Sequence, residues 1–321
     1  MRKLVGTAVA SLATAVAIIV LMAAAKDFPV VQYASNGELK FPTNYREWIY
    51  LTTGIGMSYG PAVQTSGRPP LFTNVFVEPA AYRSFMQSGT WPDKTMFVLE
   101  IYSSATHGSI NKNGHYQDEL ISYDVAVKDE SHNPKWAYYN FSPRVQTAKA
   151  FDDRCNQCHS KNGAVDNTFV QFYPSLLPVA WEKGTVREGI QPTAAILEQE
   201  IEKNGWAASK PLLDNVAKAE PDSDLLKEST LNTVGYQLLQ AKRSADALSV
   251  FEEVVARYPQ SANAYDSLAD GYMAAGEKAK AKDASKKALE LVASDTSITA
   301  VQKKAFQDAV NKRLNDLNNM Y

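Results

Sequence analysis

The whole chain of 321 residues contains two cysteines, and they lie three positions apart, with a histidine directly after the second. Cys155, Cys158 and His159 form the sequence C-x-x-C-H. Residues three apart lie on the same side of an α-helix. A helix at this point would therefore present both thiols to one neighbour, and this local arrangement constrains the chain more than any other feature.

C-x-x-C-H is the attachment sequence of a c-type haem. Each thiol can add to one vinyl group of the porphyrin, and the histidine then offers Nε2 to the iron as an axial ligand. We predict one covalent haem c per chain, with Cys155 and Cys158 as anchors and His159 as the iron ligand. Two alternatives stay open. A structural zinc site needs four ligands, which the other three histidines are not spaced to complete locally. A disulfide or redox pair would leave the adjacent histidine unexplained.

The first 25 residues have the layout of a secretory signal peptide. Arg2 and Lys3 precede an uncharged apolar run, and the run ends in three alanines that suit a signal peptidase. We therefore predict a periplasmic or secreted protein. An uncleaved membrane anchor is the alternative, since the run is about long enough to span a bilayer.

Charge and composition restrict the partner and the fold class. The formal net charge is −2 at pH 7 and no large basic patch is present, which argues against nucleic acid as a partner. Aromatic residues concentrate before residue 185, and Ala, Lys, Glu and Leu dominate after it. We predict an α+β chain, with a mainly antiparallel β haem domain followed by an all-α helical-repeat domain.

Local patterns in the first half predict a small antiparallel sheet. Residues 71–77, 95–102, 116–129 and 136–141 are typical of strands, and Asn113-Gly114 is a hairpin signal. A proline at the start and a glycine at the end predict a helix at 79–89. A second helix is predicted from Ser142-Pro143 into the haem motif, followed by a short strand in "NTFVQFYP".

Several stretches of the first half together resemble the cytochrome P-460 family, which includes the β-type cytochromes c′. They are "FPTNYREWIYL", "VFVEPAAYRSFMQSGTWPDKTMFVLEIY", "ELISYDVAVKD" with "WAYYNF", the haem motif and "FVQFYP". The resemblance spans roughly residues 38–182. It implies a five-coordinate haem with an open distal face that binds nitric oxide or oxidises hydroxylamine, and it implies a homodimer.

Three functions follow from this resemblance as hypotheses. The first is binding of nitric oxide at the open iron, with electron transfer as a further role. The second is a hydroxylamine-oxidising cytochrome that passes electrons to another cytochrome, so whether the chain is an enzyme stays open. The third is an electron carrier that recognises a partner protein through its helical repeats.

Three further residues are candidates for the haem surroundings. The resemblance implies a lysine–porphyrin link in the oxidising members, and Lys94 is the nearest candidate, with a solvated turn residue as the alternative. Glu100 lies on one face of the strand 95–102, where it could relay protons over the iron or face solvent. Arg144 could pair with a haem propionate or lie in solvent.

The second half repeats on itself with a period of 34 residues, as Gly235 and Ala269 illustrate. Small residues recur where helices approach closely, and the pattern resembles the tetratricopeptide repeat. The predicted organisation is a signal peptide at 1–25, a haem domain at 26–183, a linker with flanking helices at 184–227, two repeats at 228–295 and a capping helix at 296–321. The repeats would either bind a partner protein or serve as a structural appendage.

Overall fold

The computed structural model describes residues 30–57, 69–151, 153–294 and 299–319. The predicted signal peptide lies outside these residues. Within them, no helix combines the length and the apolar character needed to cross a membrane.

The first part of the chain, called here the β-rich domain (residues 30–183), is built on an antiparallel meander. Its described strands are β1 (Leu39–Lys40), β2 (Ile49–Ile55), β3 (Phe72–Val77), β4 (Met96–Ala105), β5 (Tyr116–Lys128), β6 (Trp136–Phe141) and β7 (Thr147–Ala148). Strands β2 to β6 form one sheet in chain order, and β1 pairs with β7 separately. Three short helices accompany the strands, namely α1 (Pro79–Ser88), α2 (Arg154–Asn162) and α3 (Leu177–Glu182). The predicted mainly antiparallel domain is confirmed.

Helix α1 begins and ends where its sequence predicts. The carboxylate of Glu78 accepts hydrogen bonds from the backbone N–H groups of Ala80 and Ala81, each at 2.8 Å, which caps the first turn. Gly89 takes a left-handed conformation with φ of 73° and ends the helix. The helix then leads through a short turn into the central strand β4.

The five-stranded sheet has two buried faces of different character. The cavity face packs against α2 and α3 and includes Val75, Phe97, Leu99, Ala126, Trp136 and Tyr138. The back face includes Met96, Val98, Val125, Val127 and Phe141 and is covered by Leu39, Tyr45 and Trp48 from the chain before β2. Because side chains alternate along a strand, neighbouring residues of β4 serve different cores.

Two predictions around the haem motif are wrong. Residues 142–151 do not form a helix: the Val145 N–H donates to the Ser142 carbonyl in a turn, and β7 pairs with β1. Helix α2 therefore begins only at Arg154. The stretch "NTFVQFYP" forms a turn and a single 3₁₀ turn, Val170–Phe172, instead of a strand.

The second part, called here the helical domain (residues 194–319), stacks helices in sequence. They are α4 (Ala194–Asn204), α5 (Trp206–Ala219), α6 (Glu228–Gln240), α7 (Ser244–Arg257), α8 (Ala262–Ala274), α9 (Lys278–Ser294) and α10 (Ala300–Asn318). Helices α6–α7 and α8–α9 are the two repeating pairs. Phe251 of α7 lies against Gly235 of α6 and Gly271 of α8, where an added methyl group would come within 3 Å of its ring. Small residues thus let three helices share one aromatic side chain.

The two domains share apolar contacts. Ile196 of α4 is fully buried in the core of the β-rich domain, and Val186 and Ile190 of the preceding segment pack against the same core. The Arg187 N–H donates to the Ala164 carbonyl at 2.8 Å. The segment 184–192 that the sequence predicts as a linker is therefore packed against the region that follows α2.

Candidate functional site

Helix α2 places the C-x-x-C-H residues at the edge of the cavity face. The side-chain amide of Asn156 donates to the Trp136 carbonyl at 2.7 Å, which attaches the helix to β6. Cys155 packs against the core of this face. Neither cysteine forms a disulfide, and both are partly exposed. One turn of helix therefore carries two cysteine side chains beside the sheet.

The imidazole of His159 is held on three sides. Its Nδ1 lies 2.9 Å from the Asn167 carbonyl. Its ring lies between those of Tyr138 and Phe169, with centroid distances of 4.5 and 4.3 Å. Burial lowers the pKa of His159, and the bond to the Asn167 carbonyl opposes that shift. In the neutral ring, a proton on Nδ1 donated to this carbonyl leaves the Nε2 lone pair available to a metal.

The carbonyl that meets His159 comes from a tight turn, Val165–Thr168. The N–H of Thr168 donates to the Val165 carbonyl at 2.8 Å, and the two central residues, Asp166 and Asn167, have φ of 48° and 59°. Two positive φ angles in a two-residue turn are the signature of type I′. Asp and Asn tolerate this conformation better than other side chains with a Cβ.

Gly163 lets this turn fold back against the end of α2. A Cβ at this position would lie 2.7 Å from the Thr168 nitrogen and 2.8 Å from the His159 carbonyl, both backbone atoms that cannot move aside cheaply. The absence of a side chain therefore brings the turn within hydrogen-bond distance of the imidazole.

A cavity of about 190 Å³ lies between α2 and the sheet. Its apolar wall comes from Val75, Phe97, Leu99, Ala126, Tyr138 and Phe169, and Cys155 and His159 line it from the other side. Pockets that enclose whole ligands typically measure roughly 300–1,000 Å³. The cavity would therefore hold only part of a porphyrin.

Two polar groups interrupt this apolar wall. The hydroxyl of Tyr138 is buried without a hydrogen-bond partner among the described residues, although buried hydroxyls are usually paired. The carboxylate of Asp124 on β5 accepts from the Asn140 side chain at 2.7 Å, and desolvation raises the pKa of Asp124. Sequence patterns missed Asp124. Asp124 and Ala126 are two residues apart on β5 and therefore lie on the same face of the sheet. Which face holds the cavity could be recognised only once the position of α2 was known.

The structure does not bring Glu100 together with His159. Glu100 lies on the back face, where it is 1% exposed. It accepts from the Tyr45 hydroxyl at 2.5 Å and lies 2.7 Å from the Arg46 guanidinium. The interpretation of Glu100 as a solvent-facing residue is therefore wrong, and this carboxylate is satisfied by partners on the side away from the cavity.

Lys94 and Arg144 also lie away from the cavity. Lys94 lies in the turn before β4, and its side chain is 49% exposed. Its Nζ lies 2.6 Å from the carboxylate of Asp129, the residue after β5. Arg144 is exposed in the turn after β6. Neither residue lines the cavity. A porphyrin link from Lys94 and a propionate contact from Arg144 stay predictions.

The familiar sixth ligands of haem iron do not reach this cavity in the described part of the chain. Among its lining residues His159 is the only histidine, and no methionine is present. Met96 is buried on the back face, and Met57 and Met86 are exposed elsewhere. The described residues that line the cavity therefore offer a bound iron no second histidine and no methionine.

The residues present suit a covalently held haem. The two cysteines are one helical turn apart and form no disulfide, the imidazole has a bonded Nδ1 that leaves Nε2 for a metal, and the Tyr138 hydroxyl is buried without a partner among the described residues. No cluster of three or more His, Cys, Asp or Glu that could hold a metal ion by itself occurs in the described ranges.

Two cysteines on one helical turn, one histidine and an apolar cavity on an antiparallel sheet are the features of the β-rich domain that suit a haem. The family model described as Cytochrome P460 matches residues 42–170, and this match supports a haem cofactor. The match covers less than half of the chain. It confirms the resemblance predicted for the β-rich domain.

Solved structures of helical-repeat proteins match the helical region. PcrH from Pseudomonas aeruginosa has 11% identity and a TM-score of 0.28, over 39% of this chain and 88% of that chain. MamA from Desulfovibrio magneticus RS-1 has 18% identity and a TM-score of 0.25, over 52% and 90%. The first TPR domain of human RPAP3 has 16% identity and a TM-score of 0.25, over 40% and 98%. Comparison with curated proteins gives no match.

Proposed function

We propose that this chain is an exported c-type haem protein that binds nitric oxide at an open iron site. In this proposal residues 1–25 direct export, Cys155 and Cys158 form thioether bonds to one haem, and His159 ligates its iron. The match to the cytochrome P460 model and the position of both cysteines on one turn of α2, without a disulfide between them, support the haem.

One observation carries the choice of ligand. The cavity opposite His159 has an apolar, mostly aromatic wall, and in the described residues it offers no second histidine and no methionine to the iron. Haem iron with one protein ligand keeps an open position, and the polarity of the distal pocket decides what binds there. A small, weakly polar diatomic ligand suits this wall.

The side chains around the haem would have separate roles. The carbonyl of Asn167 would orient His159, while Tyr138 and Phe169 would hold the plane of its ring. Phe97 and Leu99 would exclude water and bulky ligands from the cavity. Asp124 would offer a carboxyl group at its margin. The haem itself would supply the iron that coordinates the ligand.

The test is to produce the full chain in a bacterium that attaches haem to exported proteins. The wild-type protein should keep its haem through denaturing electrophoresis, as shown by peroxidase staining, and the double variant Cys155→Ala/Cys158→Ala should not stain. The ferrous wild-type protein should show a five-coordinate spectrum that shifts with one nitric oxide per haem. A colourless wild-type protein would overturn the haem, and a six-coordinate spectrum indifferent to nitric oxide would overturn the ligand.

The same spectra separate the other hypotheses. A strongly red-shifted ferrous Soret band would report a lysine–porphyrin link and favour hydroxylamine oxidation, with electrons passed to another cytochrome. A six-coordinate spectrum would favour an electron carrier with its partner on the helical repeats. The exposed, ion-paired position of Lys94 does not favour the link, so nitric oxide binding is preferred.

A further inference from the structure

Lys128, the last residue of β5, is an almost fully buried cation. Its side chain lies at the end of the cavity face, and the residue is 5% exposed. Its Nζ donates to the Trp91 carbonyl at 2.6 Å and to the Asp166 carboxylate at 2.5 Å, and it lies 3.2 Å from Glu130. A buried charge is costly unless it is paired and hydrogen-bonded. The three partners therefore fix the ammonium group in one place.

The partner that matters most is Asp166, because it belongs to the turn behind His159. Asp166 and Asn167 are the central pair of the type I′ turn Val165–Thr168, and both have positive φ. Lys128 holds the side chain of Asp166, and the carbonyl of the next residue, Asn167, lies 2.9 Å from His159 Nδ1. A continuous series of contacts thus runs from the buried lysine to the imidazole.

The same lysine also touches the second support of this turn. The indole Nε1 of Trp91 donates to the Thr168 hydroxyl at 2.8 Å, and that hydroxyl donates to the Val165 carbonyl at 2.7 Å. Since Lys128 donates to the Trp91 carbonyl, it contacts both Asp166 within the turn and the residue whose indole supports Thr168. No other cation contacts Asp166 among the ion pairs of the described residues.

We propose that Lys128 and Asp166 are positioning residues for the iron ligand, acting through the Asn167 carbonyl. Neither residue needs to touch the haem. A histidine ligand that donates its other N–H to a carbonyl is fixed in tautomer and ring orientation, and its metal-binding nitrogen becomes more basic. Fixing the carbonyl therefore strengthens the bond from His159 to iron. The proposal rests on the proposed function, because it requires His159 to ligate the iron.

The experiment compares Asp166→Asn and Lys128→Met with the wild-type holoprotein. The iron–histidine stretching frequency of the ferrous protein, measured by resonance Raman, should fall in both variants. The midpoint potential should rise, because a less basic imidazole stabilises ferric iron less. Lys304→Met is the control, since Lys304 pairs with Asp308 on the exposed surface of α10. It should leave both quantities at the wild-type values.

A second measurement separates positioning from simple loss of structure. Hydrogen exchange at the Thr168 amide, which donates to the Val165 carbonyl, should accelerate in Asp166→Asn if the turn loosens. Should Lys128→Met fail to fold, the nearly isosteric Asp166→Asn carries the test alone. A stained, folded Asp166→Asn protein with unchanged stretching frequency and potential overturns the inference and leaves the proposed function intact. A wild-type protein without haem overturns both.

Discussion

Two carboxylates on opposite faces of one sheet have different surroundings. Glu100 of β4 lies on the back face among Tyr45, Arg46 and Asn74, all within hydrogen-bond distance. Asp124 of β5 lies at the cavity on the other face and accepts from Asn140. Glu100 is enclosed by its partners, whereas Asp124 faces a space in which a ligand could meet it. A carboxylate on a mostly apolar strand is therefore a poor guide to a site until its face is known.

The largest expected effect is on stability, at Glu100. Glu100→Ala removes the acceptor for the Tyr45 hydroxyl and for one N–H of the Asn74 amide, which keeps its bond to Gln117. Loss of a buried hydrogen-bond partner costs about 1–3 kcal/mol, so we expect the free energy of unfolding to fall by about 2 kcal/mol in urea titrations.

Glu100→Gln is the matched control for this prediction. It keeps one acceptor oxygen and should lose about half as much stability. Both variants should bind nitric oxide with the wild-type affinity, because their site is on the back face. A large loss of affinity in a Glu100→Ala protein that still folds would show that the two faces are coupled.

An intermediate effect is expected on the ligand, at Asp124. Asp124 lines the cavity, and desolvation raises the pKa of its carboxyl. We expect this carboxyl group to form one hydrogen bond with the bound ligand. Asp124→Leu should raise the rate of nitric oxide release about fivefold, which corresponds to the loss of one hydrogen bond of about 1 kcal/mol.

Stopped-flow release of nitric oxide from the ferrous protein measures this change, with Asp118→Leu as a control on the exposed part of the same strand. An equal release rate in wild-type and Asp124→Leu proteins would remove Asp124 from the site. The two faces of the sheet would then differ only in how their side chains pack, and neither carboxylate would contact the ligand.

The smallest effect is expected at Lys94. Its ion pair is the largest cause that holds the pKa of Asp129 below its usual range. A depressed carboxyl pKa contributes stability above the ordinary aspartate pKa, and that contribution is lost as pH falls through the depressed value. In Lys94→Ala the free energy of unfolding should therefore be slightly lower than in the wild type near neutrality, a small change because the lysine is half exposed, and the difference should disappear as the pH falls through the depressed value. The ferrous Soret band should not move, whereas a shifted band would indicate a porphyrin link through Lys94.

Local sequence patterns predicted most of the sheet and the haem motif. Proline and glycine marked α1, alternation marked β3 to β6, and the spacing of Cys155, Cys158 and His159 identified their chemistry without knowledge of the fold. These features depend on neighbours within a few residues. The period of 34 likewise placed α6 to α9, because each pair of helices repeats the same local packing.

What the sequence could not predict depends on distant partners. The helix expected from Ser142 does not form because Thr147–Ala148 pairs with Leu39–Lys40, more than a hundred residues earlier. The strand expected after the motif is replaced by the turn at Asp166-Asn167, whose supports are Trp91 and Lys128. The alternation of side chains along β4 correctly assigned its residues to two faces of the sheet. Only the position of α2 shows which of these faces holds the cavity.

The burial of Ile196 has a practical consequence for dissecting the molecule. A haem fragment ended at residue 183, where the composition changes, would lack this side chain and leave an apolar gap in its hydrophobic interior. A fragment extended through α4 to Asn204 would retain it. The shift in amino-acid usage therefore marks a change of architecture along the polypeptide, whereas the hydrophobic interior of the first part extends at least one helix beyond that point.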